Sequence, residues 1–176
     1  DLLEGKKAVS CHSYIGSDHE YKDEDGYYHL IRDGEDILEG KRVIWVDILI
    51  NGDIEYADED GYIHLIREGK DILEGKKATS VDIFMNSDIE YTDEDGYVHL
   101  IREGEDIVEG KKAKWCHSSK NGDFEYMDKD DYHHLSRDGV DVLEGKKARW
   151  CQSYGGGDFM YRDDKGLYHN LKQDEK

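Results

Sequence analysis

Five histidines, His29, His64, His99, His134 and His169, recur every 35 residues. Each stands six residues after an aspartate: Asp23, Asp58, Asp93, Asp128 and Asp163. Imidazole can bind a metal, move a proton, or tie two segments together through its ring nitrogens. A metal centre would need several of these rings to converge on one axis. A pair written into every copy of a unit is more simply part of that unit's architecture. These ten residues are therefore assigned to a structural lock that holds one hairpin per copy.

Catalysis is not expected. One active site needs unequal roles, so a catalytic set should break the repeat symmetry, and no such break is visible. The chain has no glycine-rich phosphate loop, nucleophile elbow or His-Glu-x-x-His run. Cys11-His12 and Cys116-His117 are adjacent, but neighbours on a strand point to opposite faces. The turns Asp23 to Gly26, Asp58 to Gly61 and Asp93 to Gly96 invite a calcium reading. A twelve-residue calcium loop needs carboxylates at its first and last positions, where Tyr21 and Arg32 would fall. No cofactor and no metal are expected.

The positions that differ between copies say more about binding. One site holds Ser10, Trp45, Ser80, Trp115 and Trp150; two residues on, the copies hold His12, Asp47, Asp82, His117 and Gln152. Strand alternation puts both sites on one face, with Cys11, Val46, Val81, Cys116 and Cys151 on the other. A flat apolar ring beside a few directional polar groups suits a sugar or a protein surface. Candidate ligand contacts are Trp45, Trp115, Trp150, His12, Asp47, Asp82, His117 and Gln152.

The elements that must position these residues come from a repeat. Tyr-x-Asp-Glu-Asp-Gly-Tyr-x-His-Leu runs from Tyr56 and again from Tyr91, with versions from Tyr21, Tyr126 and Tyr161. Five units follow, 1–35, 36–70, 71–105, 106–140 and 141–176, read as a single repeat domain. Val43 to Ile50 and Ala78 to Phe84 are rich in β-branched and aromatic residues, and Tyr62 to Ile66 alternates with period two. Glu59-Asp60-Gly61, Arg67-Glu68-Gly69 and Leu73-Glu74-Gly75 read as breaks. Each unit is then about three short strands, with Asp-Ile-Leu-Glu-Gly as a fourth strand or a connector.

The fold class expected is all-β: five tandem units forming a five-bladed propeller or ring of antiparallel hairpins around one apolar interior. A β-solenoid is the alternative. It would stack equivalent residues about 4.8 Å apart, piling copies of Asp23, Glu4 and Lys6 into like-charge ladders that destabilise. Repeats 1, 4 and 5 share Cys-x-Ser and repeats 2 and 3 share Val-Asp-Ile, a grouping that becomes contiguous if the array closes.

Charge narrows the partners. Net charge is −19, and by unit it runs −5, −5, −7, −2 and 0. That field repels nucleic acid and anionic membranes and favours basic proteins or cations. Charged residues make up 38% of the chain and mean hydropathy is −0.92. Such a composition leans toward disorder, but 13 tyrosines, three tryptophans and regular aliphatic positions can build a core once the units pack. The three cysteines exchange with valine at one repeat position, which marks a small buried side chain rather than a disulfide. No hydrophobic run reaches transmembrane length, so no membrane insertion is expected.

From Glu74, the run Glu-Gly-Lys-Lys-Ala-x-x-Val followed by Ile89-Glu90-Tyr91-Thr92-Asp93-Glu94-Asp95-Gly96-Tyr97-Val98-His99-Leu100-Ile101 resembles bacterial WG-type repeats. The resemblance covers all five units. The Trp-Gly pair itself is replaced, by Ile89-Glu90 in the third copy and Phe159-Met160 in the fifth. It implies a β-rich repeat used for binding, with no catalytic residues to carry over. The functional expectation is a non-enzymatic, multivalent, lectin-like protein that recognises a glycan or protein ligand. Two others stand beside it: an acidic mimic of nucleic acid that inhibits a basic partner, and a self-associating fibre subunit.

Overall fold

A computed structural model describes residues 7–14, 16–119, 122–154 and 157–172. The first copies of the acidic and basic positions, Glu4 and Lys6, lie outside the described residues. All regular structure described is β, in five antiparallel sheets that each keep sequence order. Sheet 1 holds β1 (Ala8–Ser13), β2 (His19–Asp23), β3 (Tyr28–Arg32) and β4 (Glu35–Asp36). Sheet 2 holds β5 (Val43–Ile48), β6 (Ile54–Asp58), β7 (Ile63–Arg67) and β8 (Lys70–Asp71). Sheet 3 holds β9 (Ser80–Ile83), β10 (Ile89–Thr92), β11 (Val98–Arg102) and β12 (Glu105–Asp106). Sheet 4 holds β13 (Trp115–Ser118), β14 (Phe124–Met127), β15 (His133–Arg137) and β16 (Val140–Asp141). Sheet 5 holds, among the described residues, β17 (Trp150–Ser153), β18 (Phe159–Arg162) and β19 (Tyr168–Leu171).

One antiparallel meander per repeat is the blade pattern of a β-propeller. The all-β expectation of tandem hairpin modules holds. Every sheet pairing described joins different positions of the unit, as do the bridges Ile63–Ala78, Val98–Ala113 and His133–Ala148. The like-charge ladders of a one-coil solenoid therefore do not arise among the described residues. The fourth strands settle the connector question: Asp36, Asp71, Asp106 and Asp141 end two-residue strands that straddle the unit boundaries of the sequence.

Turn chemistry fixes the register. At the β3–β4 corner Asp33 and Gly34 have φ of 53° and 84°, and Glu103 and Gly104 repeat this with 51° and 85°. Two successive positive φ values make the turn that matches strand twist, and glycine in the second place removes its Cβ cost.

The chain divides into two compact units, Asp1–Ser80 and Val81–Lys176. In the first, Leu30 and Leu38 pack against Val43, Val46, Ile54 and Tyr56 of sheet 2. In the second, Leu100 and Val108 pack on Ala113, Cys116, Phe124 and Tyr126, and Leu135 and Leu143 pack on Ala148, Cys151, Phe159 and Tyr161. The expected single interior is thus divided: each core lies between one sheet and the next. The reason is that both faces of a middle sheet carry apolar side chains. Tyr126 and Cys116 face the preceding repeat, and Leu135 faces the following one. Each buried leucine contributes about 2 kcal/mol.

Candidate functional site

Two layers of side chains cross each sheet. Antiparallel pairing sets Val46 opposite Tyr56 and Tyr56 opposite His64, forming one row on one face. The shifted row, Asp47 opposite Glu55 and Glu55 opposite Leu65, lies on the other. The first row builds the lock and the second carries the candidate ligand contacts.

In the lock, tyrosine lies flat on histidine. Ring centroids are 4.5 Å apart for Tyr21–His29, 4.6 Å for Tyr56–His64, 4.5 Å for Tyr91–His99 and Tyr126–His134, and 4.7 Å for Tyr161–His169. The Nε2 atoms of His29, His64, His99, His134 and His169 meet Asp23, Asp58, Asp93, Asp128 and Asp163 at 3.2, 3.2, 3.1, 3.1 and 2.9 Å. The other nitrogen has a partner that sequence reasoning missed. Nδ1 of His29, His64, His99 and His134 meets Asp36, Asp71, Asp106 and Asp141 at 2.8, 2.8, 2.7 and 2.6 Å. The signal was present, since an aspartate opens each repeat, but it is assigned to the next unit until β4 is seen to fold back.

A carboxylate only accepts hydrogen bonds, so a ring between two of them is satisfied at both nitrogens when it is the imidazolium. The hydrogen bonds that His64 donates to Asp71 and His99 donates to Asp106 accordingly raise the histidine pKa, against the opposing effect of burial. At His134 burial is the largest influence and lowers it, yet Asp141 and Asp128 together outweigh it and the net shift is upward.

The aspartate before each turn has a second task. Asp58 Oδ1 accepts from the backbone N–H groups of Asp60 and Tyr62 at 3.0 and 2.9 Å, while Oδ2 faces His64. The acidic turn is therefore a hydrogen-bonded corner. Among the described residues no group of three or more His, Cys, Asp or Glu side chains is placed to hold a metal ion. An open cleft of about 390 Å³ beside this corner is lined by Lys41, Arg42, Tyr56, Asp58, Glu59 and His64, among others. Its principal charges are engaged: Arg42 reaches Glu59 at 2.9 Å and Lys41 sits 5.4 Å over the Tyr56 ring.

The candidate ligand contacts sit on the first strand of each sheet. Trp45 and Trp115 keep 43% and 42% of their surface exposed, and Trp150 is half-buried. His12, Asp47, Asp82, His117 and Gln152 are all exposed. The interleaved Val46, Cys116 and Cys151 are buried; Cys11, on sheet 1, is exposed and departs from the buried reading. Sheet 4 gathers most: Trp115 lies near parallel to His117 with centroids at 6.2 Å, His133 is 6.3 Å from Trp115, and Phe84 meets His117 edge-on at 5.9 Å. On sheet 5, Trp150 meets Tyr168 edge-on at 6.2 Å. On sheet 1, His12 meets Tyr14 edge-on at 5.0 Å. Within residues 81–176, Trp115 and Trp150 have different ring partners, so sheets 4 and 5 each carry an aromatic patch, and Phe84 of the third repeat joins the patch of sheet 4.

A third cluster was not expected. Arg102, at the end of β11, donates to Asp88 Oδ2 at 2.6 Å and to the Gly122 carbonyl of the next repeat at 2.6 Å. Arg32 and Arg137 repeat this, reaching the Gly52 and Gly157 carbonyls. These forks join a sheet to the hairpin of its successor.

No family model and no curated protein matches the sequence. Solved structures do. The WD40 β-propeller domain of Doa1 is 15% identical over 96% of this chain and 64% of its own, with TM-score 0.33. YCF48 bound to D1 peptide is 9% identical over 97% and 66%, with TM-score 0.36. Virginiamycin B lyase from Staphylococcus aureus is 9% identical over 95% and 70%, with TM-score 0.33. The chain thus spans just under two thirds of the length of the first two. No helix among the described residues is long and apolar enough to cross a membrane.

Proposed function

We propose that this chain is a non-enzymatic binding protein that recognises a glycan or protein ligand through the first-strand patches of its repeats. The observation that supports this is the exposure of Trp45 and Trp115 beside the exposed Asp47 and His117, while the interleaved Val46 and Cys116 are buried. A half-exposed indole offers a flat apolar platform, and the polar residue two positions on supplies direction. The resemblance to WG-type repeats points the same way. Equivalent first-strand positions in successive repeats suit a ligand that itself repeats, because weak contacts then add through effective concentration.

Titration with a glycan panel, read by tryptophan emission, tests this. A glycan ligand quenches or shifts emission, and Trp115→Ala removes most of the change on its own patch. Emission that stays flat across the panel removes the carbohydrate reading. A protein ligand then has to show binding that Trp45→Ala and Trp115→Ala weaken together.

A further inference from the structure

One position of the third strand changes character in the fourth repeat. Tyr28, Ile63, Val98, His133 and Tyr168 are equivalent, so an imidazole stands where the other copies carry an apolar or aromatic group. Tyr28 packs against the core that holds Val46, and Val98 against the core that holds Cys116. His133 takes the same place beside Cys151, with its Nδ1 at 3.9 Å from the Cys151 Sγ. Pairing also sets Trp115 opposite Met127 and Met127 opposite His133, so indole and imidazole share one face of sheet 4. Their ring centroids are 6.3 Å apart, with planes at 54°. His133 is thus half-buried between an exposed tryptophan of its own sheet and a buried thiol of the next.

That place suits a neutral ring. Uncharged, the imidazole can accept the thiol proton at Nδ1; as imidazolium both nitrogens donate and the acceptor is gone. Cys151 cannot answer by ionising, because burial, with Glu125 adding to it, holds its thiol well above the ordinary range. The charges facing the ring are already engaged. Glu125 on β14 accepts from Ser153 of sheet 5 at 3.1 Å. Asp128, at the turn, is held by His134 and by the N–H groups of Asp130 and Tyr132. His117 on β13 touches the same indole, and the bridge partner Ala148 brings no charge. Burial, the largest influence, lowers the His133 pKa; Glu125 and Asp128 oppose it, His134 adds to it, and the net shift is downward.

By linkage, the contribution of a neutral His133 is present above 6.5 and is lost as pH falls through the lowered value. The lock of the same sheet has the opposite sign, since the His134 pKa is raised. Mild acid therefore keeps the lock of sheet 4 charged and whole while it loosens the contact between sheets 4 and 5.

We infer that His133 is the positioning residue of the sheet-4 patch: uncharged, it fills the space between Trp115 and Cys151, and charged, it withdraws, so that mild acid takes the patch apart. That Trp115 serves a ligand rests on the function proposed above; the acid response of the indole does not. The other tryptophans have no such control, because Ile63 and Tyr168 hold the equivalent place beside Trp45 and Trp150. Acid thus singles out one patch of the chain.

Trp115 emission, taken as the difference between the intact chain and Trp115→Phe, tests this without any ligand in a titration from about pH 7.5 to 5. The expected result is a reversible change with its midpoint below 6.5. It should be absent from His133→Val, which copies Val98, and from His133→Tyr, which copies Tyr28. His117→Gln, which copies Gln152, should leave it in place. Alongside, the rate of Cys151 with dithiodipyridine, divided by that of Cys116 at the same pH, should rise about tenfold across the range. In both His133 variants that ratio should stay level. Level emission or a level thiol ratio in the intact chain overturns the inference. So does a response that survives in a folded His133 variant, and so does one that His117→Gln abolishes. Failure of the ligand reading leaves all these readouts unmoved, so the two failures are told apart.

Discussion

Tyr91 lies on His99 with ring centroids 4.5 Å apart and planes 8° from parallel. The stack places the imidazole edge between two carboxylates, Asp93 at 3.1 Å and Asp106 at 2.7 Å. The tyrosine hydroxyl also reaches Asp106, at 3.3 Å. A ring held flat by an aromatic neighbour has little freedom to leave either acceptor. The lock therefore ties three strands, β10, β11 and β12, with a single side chain at its centre.

This arrangement sets a pH window. His64, His99 and His134 have raised pKa values in the folded chain. Their contribution is fully present below the ordinary histidine value of 6.5 and is lost as pH rises through the folded value. Asp58, Asp93 and Asp128 are held below the ordinary 3.8: burial opposes this, but turn N–H groups and the histidine outweigh it. Their contribution is present above 3.8 and is lost as pH falls through the lowered value. Thermal unfolding should thus be most resistant between about pH 4 and 6.5 and weaken toward pH 9. A midpoint that climbs steadily from pH 6 to pH 9 would rule out charged locks.

Asp106→Asn separates the two carboxylates. The amide keeps the shape, loses the charge, and no longer favours imidazolium. The His99 ring should titrate at lower pH by NMR. Stability should fall by about 1–3 kcal/mol at pH 6 and by much less at pH 9, where the ring is neutral in both proteins. An equal loss at the two pH values would mean that Asp106 acts through β12 pairing alone.

Arg102 gives a second test of what joins neighbouring sheets. Its guanidinium reaches Asp88, Ser118 and the Gly122 carbonyl, and Asp88 is buried. Arg102→Ala leaves that carboxylate without its main cation and should cost about 3 kcal/mol. Arg102→Lys keeps the charge but cannot span two sheets with one planar fork, so it should recover less than half of the loss. Chemical denaturation of both variants decides this. Full recovery by lysine would reduce the fork to simple charge pairing.

Much of this was legible beforehand. The 35-residue period gave five equal modules, the Asp-x-x-Gly corner gave a hairpin, and the six-residue His–Asp interval gave half the lock. Alternation also put Trp45 and Asp47 on the face opposite Val46. The second carboxylate was not legible, because Asp36 belongs to the fourth strand of one sheet and the first position of the next written unit. The Arg102 fork was hidden for a similar reason: its partner carbonyl lies in the following repeat, and a backbone acceptor leaves no mark on a sequence. The exposure of Cys11 left no mark on the sequence either, because cover at the equivalent Val46, Cys116 and Cys151 comes from side chains of another sheet.

Trp115 tests the proposed ligand surface without confusing it with folding. The indole is half-exposed, and its neighbours His117 and His133 contact it only by ring packing. Trp115→Ala should lower stability by no more than about 1–2 kcal/mol. It should nevertheless remove the ligand-dependent emission change from sheet 4. Trp115→Phe, which keeps an aromatic face, should retain part of the affinity. A variant that loses binding and cooperative unfolding together would place Trp115 in the core instead.

The three cysteines report on sheet packing directly. Cys116 and Cys151 are buried, and burial pushes both thiols well above the ordinary range, with Glu90 and Glu125 adding to the effect. Cys116 also lies 2.9 Å from the Glu90 carboxylate. Thiolate is the reactive form, so both should resist a thiol reagent while the sheets remain packed. Cys11 is exposed on β1 and should react. A dilute native sample is expected to release one equivalent of chromophore from a disulfide reagent, and a denatured sample three, matching the three cysteines of the chain. Rapid reaction of Cys116 or Cys151 in the native chain would show that the cores between successive sheets open freely.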